Sequence, residues 1–277
     1  MKLLGLLTTL ICGALLLFFS MDFPDYGDPA SPASTHLSPY YIENTLNDSH
    51  VPNIVTSVLA DYRGYDTMYE TAVVLAAGLA CFFLLRRKES KNLPAKFYRH
   101  VPTGVTLRIE EGGKLPAEDS SVFVRMDSLW APDSMIIRNT CRLVIGFIQL
   151  FALYVVAHGH YSPGGGFQGG VLLASSIILF AISNDLRTSL RRVKEKTAGL
   201  LGSVGVLIYA GTAFLCLLLG ANFLDYKALA PILGTDAVMA RSYGILFVEI
   251  GVAFAVMAVM IWLYYNLSSA GKHDEGL

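Results

Sequence analysis

His158-Gly159-His160-Tyr161-Ser162-Pro163-Gly164-Gly165-Gly166-Phe167-Gln168-Gly169-Gly170 separates two runs of about twenty nearly uncharged apolar residues. A polar, glycine-dense turn between two bilayer-length segments decides how the rest is read: the flanks are membrane helices, and the turn is the first candidate functional element. The wider composition agrees. Of 277 residues, 53% are hydrophobic and 16% charged, and the mean hydropathy is +0.50. With its apolar residues bunched into long runs, such a chain is an integral membrane protein.

Six runs are long enough to span: 2–20, 69–85, 136–157, 166–184, 197–219 and 241–265. At about 1.5 Å of rise per residue, each can cross a hydrocarbon core of about 30 Å. The expected fold is therefore all-α, with six transmembrane helices. Lys and Arg are retained on the cytoplasmic side of a membrane. If the amino terminus lies inside, all but three of the 21 Lys and Arg face the cytoplasm, the exceptions being Arg63, Lys227 and Arg241. Both termini are then expected in the cytoplasm and the protein in the inner (cytoplasmic) cell membrane. Lys2 followed by an apolar stretch also describes a cleavable signal peptide. No small-x-small pattern follows Ser20 directly and the segment is long for a signal, so a retained span is the expectation.

The soluble parts are short. Residues 21–68 carry seven acids, and their Pro-, Ser- and Ala-rich first part is expected to be irregular. Ile54, Val55, Val58, Leu59 and Tyr62 recur at helical spacing, which predicts a short amphipathic helix over 51–62 at the outer interface. In the inner segment, Val105 to Ile109 and Ser121 to Met126 flank Gly112-Gly113, which predicts a small cytoplasmic β-hairpin between helices two and three. That segment offers a docking surface rather than a catalytic constellation. Cys12, Cys81, Cys141 and Cys216 are spread through the helices, so neither a disulfide framework nor a metal-ligand spacing is present, and they are read as small packing side chains.

Among residues that could carry chemistry, Glu249 stands out, about eight residues into the last run. An ionised carboxylate at that depth costs roughly a few kcal/mol unless it is paired or reaches water. Proton or cation handling is one reading, and a protonated Glu bonding across a helix interface is the other. Glu70, with Asp66 and Arg63 before it, opens the second span, where an interfacial ion pair competes with a place on an ion path. His158 and His160 could relay protons, but no third ligand accompanies them for a metal. The glycine run lacks the Gly-Lys-Ser/Thr ending of a phosphate loop. Gly164, Gly165 and Gly166 are instead read as permitting positive φ and a tight re-entry after Pro163, and Gly169 and Gly170 as opening the first turn of the next helix to a neighbour. Gln149 is a candidate interhelical hydrogen-bonding group, and Gly199 with Ser203 and Gly251 with Ala255 are small-residue packing pairs.

These residues carry a resemblance. The run from His158 to Gly170, preceded by Arg138 to Tyr154 and with Phe167 in place, resembles the Gly-His-x-x-Pro-Gly-Gly-Gly-Phe-x-Gly-Gly motif of the B subunit of Mrp-type multisubunit cation/proton antiporters, the MnhB family, whose four-span layout fits 134–268. Val248-Glu249-Ile250-Gly251-Val252 is similar to that family's last helix. Asn53 to Glu70, with Asp61-Tyr62-Arg63-Gly64-Tyr65-Asp66-Thr67-Met68-Tyr69-Glu70, resembles the Asp-Phe-Arg-Gly-Phe-Asp-Thr-x-Gly-Glu motif. That motif belongs to the carboxy-terminal part of the large antiporter subunit and to the small E-type subunit of membrane-bound hydrogenases. This chain departs from it at Tyr62, Tyr65 and Tyr69.

The resemblance implies a division into a two-helix module over 1–85, a cytoplasmic connecting segment over 86–133, a four-helix domain over 134–268 and a cytoplasmic tail over 269–277. It implies an accessory subunit of a cation/proton antiporter, with an ion pathway along Glu249, Glu70, Asp66, His158 and His160. No cofactor is implied. The implied partners are other subunits of an Mrp-like or complex I-like assembly, including a large antiporter-like subunit, together with Na+, H+ and membrane lipid, and no nucleic acid. The alternative is the ion-translocating subunit of a membrane-bound hydrogenase or related redox enzyme. A purely structural scaffold is the third reading.

Overall fold

A computed structural model describes residues 2–86, 96–109, 114, 116–117, 120–126, 135–269 and 271. By packing, the chain divides into residues 1–45 and 46–277. The first unit holds helix α1 (Lys2–Ser20), whose apolar side chains are exposed all round, then a π-helical turn, Ala33–Leu37, and the start of α2 (Ser38–Ser49). Residues 33–49 are thus helical although their composition predicts irregular chain.

In the second unit, α3 (Ile54–Ser57) runs directly into a π-helical turn, Val58–Tyr62, and then α4 (Gly64–Leu85). The expected amphipathic helix exists, but its buried face is the small, polar one, Thr56, Ser57 and Ala60, while Val55 and Leu59 are exposed. The reason lies in hydrogen bonding. The polar residues find partners inside the protein, and Val55 and Leu59 line a cavity.

Strands β1 (Lys96–His100), β2 (Thr106–Ile109) and β3 (Phe123–Met126) form an antiparallel sheet in the order β2-β1-β3. The two runs expected to form a hairpin do not pair with each other. Both pair with β1, Phe97 standing opposite Arg108 on one side and Met126 on the other. The tight turn is at 101–105, where Gly104 takes φ +69°, rather than at Gly112-Gly113, which lies outside the described residues.

The remaining helices are α5 (Met135–Ala157), α6 (Gly166–Ser183), α7 (Leu186–Arg192), α8 (Glu195–Leu218), α9 (Ala230–Leu233), preceded by a 3-10 turn at Tyr226–Leu229, and α10 (Ala237–Ser268). Six helices, α1, α4, α5, α6, α8 and α10, are long and apolar enough to span a bilayer. The chain is a multi-pass membrane protein. Packing centres on α10, which touches α4, α6 and α8, and α5 lies against the outer side of α6. A helix apolar around its whole circumference belongs in an interior, and α10 is apolar in this way, burying Ile245, Val248, Val252, Val256 and Ile261.

Small residues let the backbones meet. A Cβ on Gly205 of α8 would stand 2.4 Å from the Gly251 carbonyl oxygen of α10, and one on Gly199 would stand 2.4 Å from the Trp262 ring. Ser203, expected to share that face, is exposed and donates to the Gly199 carbonyl of its own helix. Gln149 of α5 donates to Ser176 Oγ of α6 at 3.2 Å. At the far end of α4, Arg86 grips the Glu195 carboxylate with bonds of 2.7 and 2.8 Å.

Candidate functional site

The glycine turn doubles back on the helix that precedes it. Gly165 N–H donates to the Val155 carbonyl at 3.2 Å, so the chain re-enters at once and α6 begins. Of Gly164, Gly165 and Gly166, only Gly165 has a positive φ, +120°. The other two are required by contact. A Cβ on Gly164 would lie 2.8 Å from the Val155 oxygen, and one on Gly166 would lie 2.0 Å from the backbone oxygen of Glu249. The first turn of α6 is wedged between its neighbours, since a Cβ on Gly169 would meet Val156 at 2.2 Å and one on Gly170 the Ala253 oxygen at 2.7 Å.

What the turn wraps around is Glu249. A Cβ on Gly165 would stand 2.7 Å from Oε1, and one on Gly159 would stand 2.9 Å from Oε2. The carboxylate is therefore cradled by backbone on two sides. Glu249 is 7% exposed, and its Oε2 is buried with no hydrogen-bond partner among the described residues. A buried polar oxygen without a partner costs free energy, and this one belongs to a group that can bind a proton or a cation.

The carboxylate borders a cavity of about 210 Å³ between α3, the π-helical turn, α4, the glycine turn, α8 and α10. Glu249, Gly165 and Tyr209 make its buried end, and Glu70, Phe167 and Gln168, all exposed, make its open end. Much of the wall between them is apolar, including Val55, Leu59, Val252 and Val256. Glu249 and Glu70, 179 positions apart in sequence, thus face one space.

The other candidates lie elsewhere. Asp66 is ion-paired with Arg63 on the surface and does not line the cavity. His158 stacks on Tyr154 with ring centroids 4.0 Å apart, on the outside of α5. His160 is buried in the turn, with Nε2 3.1 Å from the Ser242 carbonyl oxygen. A carbonyl can only accept, so the bonded tautomer carries its proton on Nε2. Burial holds the His160 pKa below its ordinary value, against the opposing pull of that hydrogen bond. Pro163 is exposed at the apex. Among the described residues, no three His, Cys, Asp or Glu stand together as metal ligands.

Several functional contacts involve residues that sequence pattern does not single out. Asn53 and Thr56 bond to carbonyls of the glycine turn. Arg241, at the start of α10, donates from Nε to Asp61 Oδ2 at 2.8 Å, with a second guanidinium contact to the same carboxylate, and Tyr62 donates to Asp48 at 2.8 Å beside it. A π-helical turn leaves backbone carbonyls without the usual intrahelical donors. Here Thr67 donates to the Leu59 oxygen and Tyr226 to the Ala60 oxygen, at 2.8 and 2.9 Å, and just beyond the turn Tyr209 donates to the oxygen of Gly64, the first residue of α4, at 2.8 Å. Only the acid-rich spacing of 61–70 signals any of this.

Fold and site together define a multi-pass helical membrane protein with a largely apolar cavity whose inner end holds a buried carboxylate, Glu249, against a glycine turn. Residues 136–262 match the family model described as a domain related to the MnhB subunit of Na+/H+ antiporter, and residues 7–96 match the MbhE model, which describes the E-type subunit of MBH. A putative antiporter subunit mnhB2 of Staphylococcus aureus (strain Newman) is 30% identical over 139 residues, covering 49% of this chain and 95% of that protein. The chain belongs to the MnhB family. An uncharacterized protein of Methanocaldococcus jannaschii is 27% identical over 181 residues, which is 64% of this chain and 62% of the relative's length.

Two solved structures share the fold. A chain of the membrane-bound sulfane sulfur reductase, an archaeal respiratory membrane complex, superposes with a TM-score of 0.57 at 21% identity, over 96% of this chain and 97% of that one. A chain of the Mrp complex from Dietzia sp. DQ12-45-1b gives 0.50 at 22% identity, over 92% of this chain and 26% of that one.

Proposed function

We propose that the chain is an accessory subunit of a multisubunit cation/proton antiporter, in which the cavity between α4, the glycine turn and α10 forms or braces the path of the cation and proton. The observation that carries this reading is the Glu249 carboxylate. It is buried, it is wrapped by glycine backbone, its Oε2 has no protein partner among the described residues, and it opens on a space that leads to Glu70. Glu249 acts as the inner station and Glu70 as the outer one. Asp66 and His158 contribute at most to the field around the mouth. The protein does no covalent chemistry and works beside other subunits, including a large antiporter-like one, in the cytoplasmic membrane with both termini inside.

The test is Glu249→Gln, which keeps the size and hydrogen-bonding capacity of the side chain and removes its charge and titrating proton. In membrane vesicles holding matched amounts of assembled complex, Gln abolishes most cation/proton exchange and Glu249→Asp is intermediate. Exchange by the Gln variant at the wild-type rate would overturn the reading.

A second reading has its own observation in its favour. The fold likeness to the archaeal respiratory complex covers nearly the whole of both chains, and residues 7–96 match the MbhE model. In that reading the same module serves a redox-driven ion pump. Iron and nickel measured in the purified assembly favour it, and their absence from an assembly that still exchanges cations for protons favours the antiporter.

A further inference from the structure

The cradle around Glu249 is held from outside. Asn53, just before α3, donates from Nδ2 to the carbonyl oxygens of Gly159 and Ser162, each at 2.8 Å. Its backbone N–H donates to the His160 oxygen at 2.8 Å. Thr56, one turn on, donates from Oγ1 to the Gly159 oxygen, again at 2.8 Å. The Asn53 amide has a defined orientation, because its Oδ1 accepts from Val55 N–H at 3.1 Å as the cap of α3 and so leaves Nδ2 toward the turn. Gly159, which accepts two of these bonds, is also the residue whose Cα faces Glu249 Oε2.

We infer that Asn53 is a positioning residue for Glu249, acting through the turn: its amide fixes the Gly159–Ser162 backbone and thereby the distance between the cradle and the carboxylate. The inference rests on Glu249 being the ion-handling group, and its test separates the two. Among the residues lining the cavity, the titratable ones besides Glu249 are Glu70 of α4 and Tyr209 of α8, and His160 stands in the turn itself. Asn53 carries no charge, so the neutral variants Asn53→Ala and Thr56→Val reach the carboxylate through geometry alone and decide the inference, whereas Asn53→Asp adds a charge to the field as well.

Asn53→Asp is the strongest perturbation. It keeps an oxygen to cap α3 and replaces the donor with a second oxygen pointed at two carbonyls. At matched amounts of assembled complex, we expect about a tenfold loss of cation/proton exchange, the scale of one or two hydrogen bonds, with the midpoint of its pH profile displaced. Asn53→Ala gives a smaller displacement, and Thr56→Val, which removes one bond to Gly159 and the Thr56 hydroxyl that accepts from Asn53 Nδ2 at 3.0 Å, the smallest. In a Glu249→Gln background, Asn53→Asp adds no further loss, as expected of two residues acting as one unit.

Infrared difference spectroscopy of the purified complex gives a second readout that does not depend on transport. The carboxyl bands of Glu249, assigned by their loss in Glu249→Gln, shift in Asn53→Ala and, less, in Thr56→Val. If Glu249→Gln exchanges normally, the transport reading fails and the band shift still decides the positioning role. Bands and pH midpoint both unmoved, with only the amount of complex reduced, would overturn the inference. Should Asn53→Ala not assemble, Thr56→Val carries both measurements under the same criteria.

Discussion

Arg241 and Asp61, separated by 180 positions in sequence, form a buried ion pair that joins the start of α10 to the π-helical turn, the Asp61 side chain being 8% and the Arg241 side chain 11% exposed. The Arg241 guanidinium also stands 5.6 Å from the centre of the Tyr62 ring. The pair is what holds the roof of the cavity to the helix that bears Glu249.

Breaking a buried pair by removing one member leaves the other charge uncompensated and costs about 3–5 kcal/mol. Asp61→Asn and Arg241→Met are therefore each expected to lower the thermal midpoint of the detergent-solubilised complex markedly. The double variant Asp61→Asn with Arg241→Met should recover part of the loss, because both buried charges are removed together and the charge that stays, Asp48 at 3.9 Å from Arg241, is 31% exposed and keeps its bond from Tyr62. Strictly additive losses would show that the pair does not act as a unit.

The glycines of the turn give a contrast within one chain. Gly166→Ala drives a Cβ into the Glu249 backbone oxygen and should reduce the yield of assembled protein. Gly146→Ala and Gly211→Ala, where an added Cβ meets nothing within 4 Å, should leave it unchanged. Replacing Gly165 and Gly166 together with Val should abolish assembly before any change in ion selectivity is seen. Normal assembly of that double variant, measured by co-purification of the other subunits, would refute the contact argument.

His160 sets a pH dependence with a definite sign. Its folded pKa lies below the ordinary His value of about 6.5 because burial disfavours the charged ring. The unfolded chain then binds the proton first as pH falls. The stability contributed by neutral His160 is complete above the unfolded pKa and declines as pH drops through it toward the folded value. Thermal midpoints measured between about pH 7.5 and about pH 5.5 should fall on acidification, and His160→Gln should flatten the fall. An unchanged slope in the variant would assign the acid sensitivity to another group.

Orientation is tested by accessibility. In a Cys-depleted background, Ser31→Cys should react with an impermeant thiol reagent applied outside intact cells, and Ser120→Cys only after permeabilisation, as the distribution of basic residues requires. External labelling of position 120 would invert the topology.

Membrane helices are legible in sequence because lipid imposes a single length and a single chemistry on them. The ends of α5 and α6 fall within one residue of the runs read from hydropathy, whereas α4 and α10 begin five and four residues early. The extra turn of α4 contains Asp66, a charge that hydropathy rejects and an ion pair with Arg63 accommodates, and the extra turn of α10 is the apolar stretch before Arg241. β1 is not legible, because Lys96, Arg99 and His100 leave Phe97 and Tyr98 as its only apolar residues.

At the site, Glu249 is conspicuous in sequence as a carboxylate in an apolar helix, and the glycine run as a turn. That the turn surrounds the carboxylate is a long-range contact, which residue spacing does not encode. Asn53 opens the stretch that resembles the hydrogenase-subunit motif, but its bonds to the glycine turn are hidden for the same reason. Asp66 and His158 look as functional as Glu70 and His160 in sequence. The i,i+3 spacing of Arg63 and Asp66 is the one local signal that Asp66 is engaged at the surface.

The backbone contact between Gly205 and Gly251 has a mechanical consequence. With no side chains between them, α8 and α10 cannot slide or roll past each other without collision, since a shift of one turn would bring bulkier neighbours into a gap fitted to glycine. One wall of the cavity is thus a fixed rail. The opposite wall is short, changes helical pitch at Val58–Tyr62, and is fastened by hydroxyl-to-carbonyl bonds from Thr67, Tyr209 and Tyr226 and by the Asp61–Arg241 pair. The cavity thus has one wall made of direct backbone contact and one made of hydrogen bonds.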